Sequence, residues 1–197
     1  KGIFRIGVAV GENPEGPFTP MDKPIEGSFS IDPAVYKDDN GEYYMYFGGI
    51  WGGQLQRWRD GVFNLSNPTS PTAFLPNDDE HALLPFVAKM SDDLLEFTEK
   101  PREVQILDET GKLLLAGDNE RRFFEAAWVH KYNGKYYFSY STGDTHFICY
   151  AIGDNPYGPF TYKGKILNPV VGWTSHHSIC EFKGKWYLFY HDSSLSK

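Results

Sequence analysis

Phe124 to Thr142 reads FEAAWVHKYNGKYYFSYST. An acidic residue opens this stretch, an apolar run follows, Asn133-Gly134 interrupts it, and a longer aromatic run closes it. Asn-Gly between alternating apolar runs is a hairpin signal, because the tight turn needs positive φ at its central residues. Two other stretches repeat the pattern. IDPAVYKDDNGEYYMYFGG (Ile31 to Gly49) turns at Asp39-Asn40-Gly41, and HHSICEFKGKWYLFYHDS (His176 to Ser193) turns at Lys183-Gly184. Each reads as an antiparallel pair, strand A into strand B.

A second pattern alternates with the first. IGVAVGENPEGPFTP (Ile6 to Pro20), FVAKMSDDLLEFTE (Phe86 to Glu99) and ICYAIGDNPYGPFTY (Ile148 to Tyr162) each hold a strand, a polar turn and a short strand, C and D. Four-stranded antiparallel units in series are propeller blades. The chain is therefore expected to be all-β, an incomplete β-propeller of about three blades. Residues 1–30 supply the outer strands of one blade, 31–123 a whole blade, 124–170 another, and 171–197 the inner strands of a last one. The first whole blade carries a long insertion at about 50–85 that reads as loop. Every sheet is expected to be antiparallel and four-stranded, and an open ring leaves strand edges and apolar blade faces unpaired.

Composition agrees. Of 197 residues, 17% are aromatic, rich in the Tyr and Phe that favour half-buried strands. The net charge of −7 argues against nucleic acid or an anionic membrane as partner. No run of 18 apolar residues is present, and KGIFRIGVAV lacks the features of a signal peptide. Cys149 and Cys180, each in an apolar run, read as buried free thiols. Phosphate-loop, dinucleotide, zinc-ribbon and serine-hydrolase motifs do not occur.

The repeat also places chemistry. Asp32 and Glu125 each lie nine residues before the turn glycine of their blade, and His176 eight before Gly184. Equivalent positions on innermost strands face one another around the channel, so Asp, Glu and His should gather at one mouth. The bland alternative is a set of strand-start caps. The loops after strand B, GGIWGG (Gly48 to Gly53), STGDTH (Ser141 to His146) and HDSSLS (His191 to Ser196), rim the same mouth. Trp51 and Trp173 are candidates to stack on a sugar ring or to wedge between blades, whereas Trp128 and Trp186 read as core. His176 and His177 cannot chelate one ion together, because neighbours on a strand point to opposite faces.

These motifs resemble glycoside hydrolase family 43, most specifically in SIDPAVYKDDNGEYYMYFGGIWGGQLQRW, RRFFEAAWVHKYNGKYYFSYSTGDTHFICYA and NPVVGWTSHHSICEFKGKWYLFYHDSSL. The resemblance implies a five-bladed β-propeller and inverting hydrolysis of β-xylosidic or α-L-arabinofuranosidic bonds in xylan-derived oligosaccharides. It implies Glu125 as general acid and Asp32 as the residue that tunes and orients it; Trp51, Trp173, His176 and Phe124 are the candidates to bind the sugar. It implies no cofactor for the chemistry and a possible structural calcium in the channel beside His176. The compartment is not fixed by the sequence, with a secreted or periplasmic location favoured over a cytoplasmic one. The implied general base is an Asp of a blade preceding Lys1, so the missing N-terminal blades are expected partners. The competing reading is a non-catalytic carbohydrate-binding propeller.

Overall fold

The computed structural model describes residues 2–67, 69–172 and 176–196. A two-stranded sheet, β1 (Ala9–Val10) and β2 (Thr19–Pro20), comes first. Strands β3 (Ala34–Lys37), β4 (Tyr43–Phe47), β5 (Phe86–Lys89) and β6 (Arg102–Glu103) then form an antiparallel meander. Next come β7 (Ile106–Leu107), β8 (Glu125–Tyr132), β9 (Lys135–Ser141), β10 (Ile148–Gly153) and β11 (Phe160–Leu167), in the order β7-β11-β10-β9-β8. The hairpin β12 (His177–Phe182) and β13 (Lys185–Tyr190) ends the series. The four-stranded sheet is built outward from β3 and the five-stranded sheet from β8, and β8 lies beside β3 on one side and β12 on the other. Those three strands are the inner ones, so the chain is an arc of a β-propeller.

Local chemistry explains the hairpins. Asn133 and Gly134 take φ of 48° and 73°, and Lys183 and Gly184 take 53° and 72°, as a two-residue type I′ turn requires. Strands β4, β9 and β10 bury Tyr46, Phe47, Phe138, Tyr140, Cys149 and Ala151 between neighbouring sheets, which forms the core. At the hairpin end of the first two inner strands, buried Asp38 accepts hydrogen bonds from Tyr136 Oη (2.6 Å), Lys131 Nζ (3.0 Å), Tyr36 Oη (3.1 Å) and the Asp39 amide (2.8 Å). Burial alone would raise the Asp38 pKa, but these donors outweigh it and hold the carboxyl below its usual range.

Three expectations are corrected. The larger sheet has five strands, and β7 runs parallel to β11. After β6 the chain must cross to the next sheet, and Val104 and Ile106 fill the apolar seam on the way, so the crossing segment pairs along that sheet's outer edge. The outer strand of the first whole blade is Arg102–Glu103, beyond the expected stretch, where only Met90 and Phe97 form an isolated bridge. Cys149 is buried, but Cys180 is exposed and Trp186 keeps 40% of its surface, because β12 and β13 have no further strand beside them among the described residues.

The segment 50–85 is loop with two 3₁₀ turns, Trp51–Gly53 and Leu55–Trp58. Arg57 organises it. Its guanidinium donates to the carbonyls of Asn64 (3.0 Å), Ser66 (2.8 Å), Asn67 (2.8 Å) and Ser70 (2.9 Å). Gln56, 1% exposed, donates from Nε2 to the carbonyls of Trp51 (3.0 Å) and Pro71 (2.8 Å). β4 delivers the chain to the channel mouth and β5 leaves from it, so the whole insertion lies at that end.

Candidate active site

Three segments from two blades are stitched together at the mouth. The amide of Gly48 donates to the Ile31 carbonyl (2.9 Å), and that of Ile50 to the Phe124 carbonyl (3.1 Å). The stretch after β4 therefore threads between the Asp32 and Glu125 segments. Ser30 closes the same turn, donating from Oγ to the Gly53 carbonyl (2.7 Å) and accepting from the Gly49 amide (3.0 Å). Gly49 has no room for a side chain. A Cβ there would lie 2.7 Å from Ile31 Cγ1 and 3.4 Å from Glu125 Cβ.

The backbone around the carboxylates is unusual. Ser30, Asp32, Trp51 and Ala126 all have φ between 56° and 63°. For residues with a Cβ this conformation costs about 1–2 kcal/mol each, and such outliers collect where a site requires them. Ala126 lies in a β-bulge: Glu125 pairs with Ser141, but the next pairing is Trp128 with Ser139, one residue out of step. The extra residue re-aims Glu125 relative to the rest of β8. Its amide is not left idle, since Ala126 donates to Asp32 Oδ2 at 3.4 Å.

His176 completes the cluster. Its Nε2 lies 3.3 Å from Asp32 Oδ2 and 3.7 Å from Glu125 Oε1. One ligand atom from each of Asp32, Glu125 and His176 falls within 4.8 Å of the others, so residues from three blades converge as the repeat predicts. Hydrogen bonds to Asp32 and then Glu125 raise the His176 pKa from 6.5 to about 10. Near neutral pH an imidazolium therefore stands between the two carboxyl groups.

The other expected residues divide. Trp51 is half-buried at the mouth, edge-on to Phe124 with ring centroids 5.3 Å apart. Phe124 is 2% exposed, so it supports Trp51 from below and cannot itself meet a sugar as expected. Trp173 lies outside the described residues. The strand reading of the paired histidines holds. His177 turns away from the cluster and shares a 2.6 Å Nε2···Oγ hydrogen bond with Ser139. Burial, with His176 nearby, lowers its pKa to about 3.

Ser30, Gly49, Gln56, the Ala126 bulge and His177 were not anticipated as parts of the site. For Gly49 the signal was visible: two adjacent glycines end an aromatic strand where a strand former would be usual.

Comparison with known proteins agrees with this geometry. The family model described as glycosyl hydrolases family 43 matches residues 1–197. A xylosidase/arabinosidase from Bacteroides ovatus is 66% identical over 96% of this chain, and a beta-xylosidase from Xylanibacter ruminicola is 63% identical over 97%. A crystal structure of a family 43 β-xylosidase/α-arabinofuranosidase from a compost microbial metagenome, calcium-free and in complex with xylotriose, superposes with a TM-score of 0.94 at 67% identity. It is matched over 98% of this chain and 58% of its own. The chain spans 57% and 58% of the length of the two curated relatives.

Proposed function

We propose that this chain, which belongs to glycosyl hydrolases family 43, carries the acid side of an inverting glycosidase acting on xylan-derived oligosaccharides. The observation that carries the reading is the convergence of Asp32, Glu125 and His176 from three blades to within 4.8 Å. The bonds cleaved are β-xylosidic, α-L-arabinofuranosidic or both, the two activities named for the relatives. The ring is completed to five blades by the part of the protein that this chain does not span.

Glycoside cleavage needs an acid on the leaving oxygen and, with inversion, a base that activates water on the opposite face of the sugar. Glu125 is the acid. Asp32 holds the Ala126 amide and the His176 ring, and so fixes the bulge that aims Glu125. His176 bridges the two carboxyl groups and fixes their spacing. Trp51, rigid above Phe124, offers an aromatic face to the apolar side of a pyranose or furanose ring. The base is an Asp from a blade outside this chain, because Asp32 and Glu125 offer oxygens within 4.8 Å of each other, closer than the roughly 6.5–9.5 Å between carboxyl groups that inversion needs.

Calcium fits this cluster in part. Asp32 and Glu125 offer the hard oxygens that calcium prefers. His176 would have to surrender the proton that those same carboxylates hold on Nε2. Oligosaccharides released from an extracellular plant polysaccharide suit a secreted or periplasmic enzyme, which is the location proposed.

In the complete protein, Glu125→Ala should slow hydrolysis of xylobiose about 10²–10⁴-fold, the usual worth of general acid catalysis. Aryl xylosides with acidic phenol leaving groups need little protonation and should lose far less. Equal losses on both substrates would remove Glu125 from this role. A sugar-binding module would show no turnover to lose.

A further inference from the structure

We infer that Trp128 and Ser139 are positioning residues that hold the channel histidine against the two carboxyl groups. The inference rests on the proposed role of the Asp32–Glu125–His176 cluster and extends it to residues outside the channel.

Trp128 and Ser139 are directly opposite one another on β8 and β9, immediately past the bulge. Both aim a polar group at β12. The Trp128 indole donates from Nε1 to the Ile179 carbonyl at 3.0 Å, and Ser139 Oγ is 2.6 Å from His177 Nε2. Residues 177 and 179 lie on one face of a strand, and His176 points to the other. A single cross-strand pair thus grips the back of the strand whose front carries His176.

Among the described residues β12 pairs within its own sheet with β13, and the neighbour that carries Glu125 is β8. Trp186 of β13 adds ring contacts to His130 and Tyr132 of β8, toward the hairpin end and away from His176. Ser139 is fully buried, and His177 has its Nδ1 buried without a hydrogen-bond partner. An apolar residue at 177 would pack without that unsatisfied nitrogen, whereas one at 139 would leave Nε2 unpartnered as well. A buried polar contact retained at such a cost fixes a geometry. Here it fixes how far β12 stands from β8, and hence the 3.3 Å and 3.7 Å reach of His176 to Asp32 and Glu125.

The test uses the complete protein. Trp128→Phe and Ser139→Ala remove one grip each, the second with nearly unchanged volume and the first with loss of part of the ring system. Tyr136→Phe is the control, since it removes the hydroxyl bonded to Asp38 across the neighbouring seam, between the β8–β9 and β3–β4 hairpins and far from His176. The positioning role predicts about tenfold lower kcat on xylobiose for each grip variant, with KM little changed, because small misplacements of catalytic groups act on the transition state. Tyr136→Phe should lower Tm and leave kcat intact. The ring resonances of His176, read by NMR, should shift in both grip variants and stay in place in the control. That readout does not depend on turnover, so it survives if the proposed activity is wrong. Unshifted His176 resonances in correctly folded grip variants would overturn the inference, as would a kcat loss in Tyr136→Phe equal to theirs.

Discussion

His176 and His177 are chain neighbours with opposite protonation. Contact with Asp32 and Glu125 raises the His176 pKa to about 10, whereas burial lowers that of His177 to about 3. Their contributions to stability therefore run in opposite directions with pH. That of His176 is complete below its unfolded value of 6.5 and fades as pH rises toward 10. That of His177 is complete above 6.5 and fades as pH falls toward 3. A plot of Tm against pH should peak near 6.5 for this pair, with His176→Asn flattening the alkaline side and His177→Phe the acid side. His176 is partly solvated, so its share should shrink as salt is added. At the same scale, Gly49→Ala should cut activity sharply, since its Cβ would push Ile31 or the backbone that aims Glu125.

Arg57 gathers the middle of the insertion, while Gln56 and Arg59 tie down its flanks. Arg57 gathers four carbonyls of the 64–70 segment, so Arg57→Met leaves them without a donor and should cost about 1–3 kcal/mol. Limited proteolysis should then cut within that loop before the strands yield. Nothing in SNPTSP or PNDDEH announced this cage, because loop composition says where the chain turns and not which cation its carbonyls face. The hairpins were legible for the opposite reason: Asn133-Gly134 and Lys183-Gly184 have local causes, and their recurrence set the register that located Asp32, Glu125 and His176. The bulge at Ala126 and the parallel strand β7 were not legible. Each arises from a neighbouring sheet, and a two-residue strand is too short for a periodic signal.

At the scale of the whole molecule the arc is not self-contained. Phe182, Trp186, Tyr187, Phe189 and Tyr190 of the last hairpin are all exposed. His130, Tyr132, Tyr137, Tyr150, Ile166, Ile179 and Trp186 line an open apolar groove beside it. Exposed apolar surface of this kind favours association. Residues 1–197 expressed alone are therefore expected to self-associate and to show no turnover of xylosides, and the rest of the protein, in cis or as a second chain, should restore both properties. Sedimentation and a xylobiose assay check this, and robust turnover by the isolated chain would require a base within it.

The three functional groups belong to three separate blades, joined across their seams by few hydrogen bonds compared with the ladders inside each sheet. Each sheet is stiff, so thermal expansion of the ring accumulates at the seams, and two seams lie between Asp32 and His176. The catalytic centre then acts as a gauge of ring diameter: widening by a fraction of an ångström per seam separates the groups while every strand stays paired. On heating the complete protein, loss of turnover should precede loss of the β-sheet circular dichroism signal, and cooling from that interval should return full activity.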